Sequence, residues 1–238
     1  MMEDLGTGYN ARLFEKRGIR SFFHNSRFKW LFEESQRLNI NKGSILELGC
    51  FDGKTINYMP FVPKEYVGYD ANWEGGLDEA EKLWKHNPEY KFKFCDSPAL
   101  FNPTNELFDY CISMETLEHL PLAYSDEFLQ KLASSTKTYG FFSIPNEQGI
   151  LCVLKYLIKI TFLTTYETYS LKELWFAFIG HPEKVKRNEG LHKGFSYKQQ
   201  IRELQRYFDI VSVKGIPFKH LPLSLNFTIG IVVKKKEN

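Results

Sequence analysis

A chain of 238 residues with 43% hydrophobic content can bury the core of one large domain, and it should fold alone. Its 31 basic and 29 acidic residues leave a formal charge of +2, so bulk electrostatics give no reason to expect nucleic acid or an acidic surface as partner. The four cysteines, Cys50, Cys95, Cys111 and Cys152, form no CxxC pair and mostly sit in apolar runs, which reads as reduced core residues of a cytoplasmic protein and excludes a disulfide or zinc framework.

The first 18 residues, MMEDLGTGYNARLFEKRG, are too polar for a signal peptide. Residues 1–41 read as an N-terminal helical segment ahead of a main domain over 42–238; Arg27–Leu38 carries Phe28, Leu31, Phe32 and Leu38 at helical intervals. Strands are predicted at Ser44–Leu48, Tyr66–Tyr69, Lys91–Phe94, Phe108–Ile112 and Gly140–Ile144, with a helix starting near Lys54 and another over Ser125–Ser135 that buries Phe128, Leu129 and Leu132. Strands alternating with helices give an α/β fold, a doubly wound, Rossmann-like sheet that is mostly parallel.

After the fifth strand the rhythm breaks. Residues 147–195 hold two helix-like stretches, Ile150–Leu163 and Leu171–Ile179, and read as a helical insertion over the ligand crevice. Ile150–Leu163 is too short to span a bilayer and carries Lys155 and Lys159 on one side of its wheel. Two readings stay open for it: a lid helix on the sheet edge, or peripheral contact with a membrane surface or lipid-linked substrate. Trp175, Phe176, Phe178 and Ile179 add an aromatic roof suited to stacking on a sugar or to plain packing. Ser196 and Gln199 match a capping box for a helix with Ile201, Leu204 and Phe208 in its stripe. Two strands, Ile210–Gly215 and Asn226–Val233, leave no room for a crossover helix, so the seven-stranded sheet ends in an antiparallel hairpin.

The stretch ILELGCFDGKT (45–55) places a strand before a glycine turn, where backbone N–H groups can approach a ligand closely. An acid at the end of the second strand, Asp70, suits ribose hydroxyls. The spacing G-x-x-x-G and the carboxylate of Glu47 argue against a pyrophosphate and for a cationic ligand. With E-L-G-C-F-D-G, Asp70 and the CDS stretch after the third strand, the chain from about Lys42 onward resembles class I S-adenosylmethionine-dependent methyltransferases.

That resemblance implies a methionine moiety over Gly49, Cys50, Asp52 and Gly53, its amino group near Glu47, the ribose diol on Asp70, and the adenine facing Asp96 and Ser97. Met114 completes the implied cofactor set. Phe51 stands where the family often has a third glycine, and its ring must point away from the ligand.

SMETLEHLP after the fourth strand spaces Glu115, Glu118 and His119 at i, i+3 and i+4, which on a helical turn share one side. Such E-x-x-E-H motifs resemble those of ubiquinone-pathway O-methyltransferases and small-RNA 3′-end 2′-O-methyltransferases. The RNA group implies a further histidine, for which PNE (145–147) and GLHKGFS (190–196) offer His192. Three readings stay open: a magnesium, manganese, iron or zinc site of Glu115, Glu118, His119 and His192; metal-free catalysis by His119 or His192 with Glu118; or a capped turn with Leu117 and Leu120 in the core. His24, His86, His181 and His220 have no sequence partners for chemistry.

The function expected is methyl transfer from S-adenosylmethionine to a hydroxyl of a small molecule, such as a sugar or glycolipid. The alternatives are metal-dependent methylation of an RNA end, against which no basic stripe or RNA-binding module is visible, and a non-catalytic cofactor-binding partner subunit.

Overall fold

The computed structural model describes residues 19–103, 107–162, 168–188 and 191–237. The expected helix end at Leu163, residues 164–167 and Gly190 lie outside the described residues, as does the side chain of Lys159. The chain runs α1 (Ile19–Arg37), β1 (Ser44–Leu48), β2 (Glu65–Asp70), α2 (Gly76–Leu83), β3 (Tyr90–Phe94), β4 (Phe108–Met114), α3 (Leu122–Ser134), β5 (Thr136–Pro145), α4 (Ile150–Phe162), α5 (Leu171–Phe178), α6 (Tyr197–Tyr207), β6 (Phe208–Ile216) and β7 (Thr228–Lys235).

Strand order is β3-β2-β1-β4-β5-β7-β6, parallel except for β7, which runs antiparallel to both β5 and β6. The seven-stranded doubly wound sheet and its terminal hairpin are those the sequence leads one to expect. All of β1 is buried, because helices cover both faces. Alternate residues enter two cores: Leu46 and Leu48 join Phe128, Leu129, Leu132 and Leu204 under α3 and α6, while Ile45 joins Trp30, Leu31 and Phe141 under α1. Each such side chain contributes about 1.5–3 kcal/mol on burial.

α1 therefore shares the sheet's core. Trp30 lies so close to β7 that a Cβ on Gly230 would collide with its indole. The buried Glu34 carboxylate accepts Lys214 Nζ of β6 at 2.5 Å and Arg37 Nε at 2.8 Å; burial pushes its pKa up, but these two cations bring it below the ordinary value.

Several local expectations differ. The segment from Lys54 is a single 3₁₀ turn, Lys54–Tyr58, and α2 falls where no helix is apparent in sequence. Ser196 caps α6 by accepting Gln199 N–H, but Gln199 turns its amide to Glu203 at 2.9 Å and so does not close the box. The reciprocal box is one helix earlier, between Ser170 and Glu173 at the start of α5.

Two asparagines fasten the end of β5 to the loop that joins β6 and β7. Asn146 Nδ2 donates to Asn226 O at 2.9 Å and Leu223 O at 3.2 Å. The buried Asn226 amide in turn donates to Phe218 O and Pro222 O, both at 3.1 Å, and accepts Phe218 N–H at 2.8 Å. Among the described residues, no helix is long and apolar enough to cross a membrane.

Candidate active site

A cleft of about 420 Å³ opens at the carboxyl ends of β1, β2 and β4. Its floor follows from the turn after β1. Gly49 (φ 80°) and Cys50 both donate to Tyr69 O of β2, at 2.7 and 3.2 Å, and a Cβ on Gly49 would strike Thr116 after β4. Glycine alone permits both that φ and that approach. Phe51, also left-handed at φ 48°, donates its N–H to Asp70 Oδ2 at 3.0 Å and lays its ring on Gly76 at the start of α2 while remaining on the cleft wall.

Of the residues the sequence assigns to a cofactor, Glu47, Gly49, Cys50, Asp52, Asp70, Asp96 and Met114 line this cleft; Gly53 and Ser97 do not. A Cβ on Gly53 would run into Trp84 and Phe92, and Ser97 gives its carbonyl to Cys95 Sγ at 3.3 Å. Asp52 Oδ1 accepts Lys54 N–H at 3.1 Å, closing a local turn just ahead of the 3₁₀ segment. Asp70 is raised above its ordinary pKa by burial, against backbone N–H groups that favour its charge. Glu47 is buried, and its Oε2 accepts the hydroxyls of Thr55 and, at 2.5 Å, Tyr66. Burial, reinforced by Asp52 and Asp70, pushes its pKa to about 8 in spite of those bonds.

Beyond Met114 the chain does not form the helical turn expected for E-x-x-E-H. Glu115 takes a left-handed backbone (φ 53°), and a 3₁₀ turn, Leu117–His119, follows. The result separates Glu115 from its companions. Glu118, His119 and His192 converge, with one ligand atom from each inside a 4.8 Å cluster, while Glu115 stays outside it on the cleft wall. His119 Nε2 faces His192 Nε2 at 3.4 Å, and Glu118 Oε1 lies 3.8 Å from both. Of the three, His119 lines the cleft.

Both Glu118 oxygens, and Oε1 of Glu115, are buried without a hydrogen-bond partner. Burial, with the Glu115 charge adding to it, pushes Glu118 to about 8. Burial works against the His192 cation, but Glu147 and Glu118 outweigh it and raise its pKa.

Glu147 belongs to this constellation although its sequence signal was only its place behind Pro145 and Asn146. Its buried Oε1 lies 3.6 Å from His192 Nδ1 and 3.0 Å from Lys155 Nζ of α4. Burial would raise it, yet Lys155 and His192 hold it down at about 2. Arg187 straps the same loop in place: Nη2 donates to Glu118 O, and Nη1 to Leu191 O and Lys193 O at 3.0 and 3.2 Å.

Residues 23–209 match the family model of a methyltransferase domain. No curated protein sequence matches the chain. Among solved structures, it is similar to magnesium protoporphyrin IX methyltransferase from Synechocystis PCC 6803 with bound S-adenosylhomocysteine (13% identity, 98% of this chain and 90% of that one, TM-score 0.62). It is also similar to the N-methyltransferase NodS from Bradyrhizobium japonicum WM9 (14%, 90% and 97%, TM-score 0.58). A third likeness is to the small RNA methyltransferase HEN1, of which the chain spans 27% (14% identity, 94% of this chain, TM-score 0.64). At such identities the likeness is one of fold.

Proposed function

The chain belongs to the methyltransferase-domain family, of the class I S-adenosylmethionine-dependent type, and from that premise we propose that it methylates a hydroxyl of a small molecule such as a sugar or glycolipid. The observation that carries this reading is the convergence of Glu118, His119 and His192 at the edge of the cleft. A sulfonium needs little activation from the protein, whereas a neutral alcohol is a poor nucleophile. A proton-accepting group beside the methyl donor is what hydroxyl methylation requires.

In the proposed step, the acceptor oxygen gives its proton to Nε2 of His119 and forms a bond to the methyl carbon. The C–S bond breaks with its electron pair going to sulfur, which leaves a methyl ether and S-adenosylhomocysteine. Above its raised pKa of about 8, Glu118 stabilises the imidazolium, and Glu147 fixes the ring of His192 through Nδ1. Glu47 and Asp70 supply the carboxylates suited to the ammonium and ribose diol of the cofactor.

The same donor set fits a divalent cation: two imidazole nitrogens, a carboxylate with both buried oxygens unpartnered, and a second carboxylate orienting one imidazole from behind. Glu118, His119 and His192 would hold it, and it would lower the pKa of a hydroxyl bound to it. The approach of His192 to His119 also supports a second reading, methylation of an RNA 2′-hydroxyl, since a downstream histidine is what the motif's resemblance to RNA-end enzymes implies.

The test is calorimetric titration of S-adenosylhomocysteine into chelator-treated protein, with and without manganese, followed by methyl transfer to polyols, glycolipids and RNA ends. The proposal expects cofactor binding in the chelated protein, turnover on a hydroxyl acceptor, and loss of turnover but not of binding in His119→Ala. Turnover on amines alone would overturn it. Turnover on RNA, with affinity falling steeply with salt, would select the second reading.

A further inference from the structure

The lid is built inside out. α4 carries no acidic residue, and Lys155 is turned inward onto Asn146 O and Glu147, leaving its side chain only 19% exposed. Ile150, Leu154 and Leu157, spaced i, i+4 and i+7, face solvent instead. α5 repeats the pattern. Leu171, Trp175 and Phe178 have the same spacing and are 89, 58 and 41% exposed, while the small Ala177 is the buried residue. The two helices meet through a minor cluster of Cys152, Ala177 and Val185, which consumes little of their apolar surface. Two outward stripes of large apolar side chains, on adjacent helices of the insertion, exceed the scattered apolar exposure of an ordinary surface.

The charges around the stripes select the occupant. Lys172 and Lys184 are exposed and lie over the Phe176 ring of α5 at 6.0 and 5.2 Å. Among the described residues, the neighbouring acids are engaged: Glu173 with Ser170 and Lys193, and Glu183 with His181 at 2.8 Å. An apolar stripe with an exposed tryptophan and a basic margin matches the water–lipid boundary of an anionic bilayer. A second copy seated on the same face would bring lysines against lysines.

We propose that the outer face of α4 and α5 docks the protein on an anionic lipid surface, with Leu154, Leu157, Trp175 and Phe178 entering the headgroup boundary and Lys172 and Lys184 contacting lipid phosphates. The proposal concerns binding alone and stands whichever atom is methylated.

The test is co-sedimentation of the full chain with phosphatidylglycerol-rich vesicles and with pure phosphatidylcholine vesicles, without methyl donor. Binding is expected to the first, weakening with salt, and to drop about tenfold or more in Leu157→Glu/Trp175→Glu and severalfold in Lys172→Gln/Lys184→Gln. Both variants change exposed side chains, so unaltered melting and S-adenosylhomocysteine binding confirm intact folding. Wild-type protein left in the supernatant, or equal binding by the apolar double variant, would overturn the proposal. So would a dimer in light scattering that the same double variant dissolves, because the face would then join two copies.

Discussion

Replacing Glu47 by glutamine tests the cleft's electrostatics through stability alone, before any acceptor is known. The glutamine carbonyl can accept the Thr55 and Tyr66 hydroxyls as Oε2 does, so packing and hydrogen bonds are retained and only the ionisation is removed. The pKa of Glu47 is raised by burial from 4.5 to about 8, so between those values the cofactor-free fold holds a proton that the unfolded chain has released. The stability this contributes is complete below pH 4.5 and is lost as pH rises through 8, at about 1.4 kcal/mol per pH unit. From pH 5 to 8 the wild type should therefore lose about 4 kcal/mol relative to Glu47→Gln. Other titrating groups act equally on both proteins and cancel in the difference. Urea unfolding of the two proteins at pH 5, 6.5 and 8 measures the gap. A gap that stays constant across that range would show that Glu47 is already ionised in the empty cleft, and the reasoning from burial would be wrong.

Three further outcomes are expected. Asp70→Ala should weaken S-adenosylhomocysteine binding by about 2 kcal/mol, roughly thirtyfold, by calorimetry, because a charged hydrogen-bond acceptor leaves the cleft. Lys155→Met strands the buried Glu147 carboxylate and should cost about 3 kcal/mol in urea unfolding; adding Glu147→Gln should recover a large part of it, and strictly additive effects would argue that the pair is not coupled. Ser170→Ala removes the side-chain half of the α5 capping box and should cost about 1 kcal/mol, with the loss seen first as faster hydrogen exchange at Glu173.

The central strands were legible because β1, β2 and most of β4 and β5 are buried and stand out as short apolar runs between turns. Ser44–Leu48 has the same bounds in sequence and structure. β5 begins four residues before its expected start because Thr136 and Tyr139 pair with Phe108 and Tyr110 across a break in register, which an apolar-run reading does not see. α2 escaped notice because GLDEAEKL is short and mixes its charges with few apolar anchors. In the site, Glu118, His119 and His192 were legible as residue types, but the left-handed Glu115 was not. That backbone is set by where β4 ends, and it breaks the i, i+3, i+4 geometry a helix would have imposed. Glu147 was obscured for a different reason: its role arises from Lys155 and His192, 8 and 45 residues further on, which only the folded chain brings to it.

The Asn146–Asn226 brace bears on how this scaffold can be re-engineered. Residues 147–195 look like a cassette, bounded by a strand and a capped helix and free to be exchanged for another acceptor-binding lid. Yet the residue just before the cassette takes its orientation from carbonyls at Leu223 and Asn226, in a loop that touches neither end of the graft in sequence. A chimaera cut at 147 and 195 would import a lid while keeping a foundation shaped for the old one. Transplanting residues 217–227 along with the lid is the modular unit that the hydrogen bonds define.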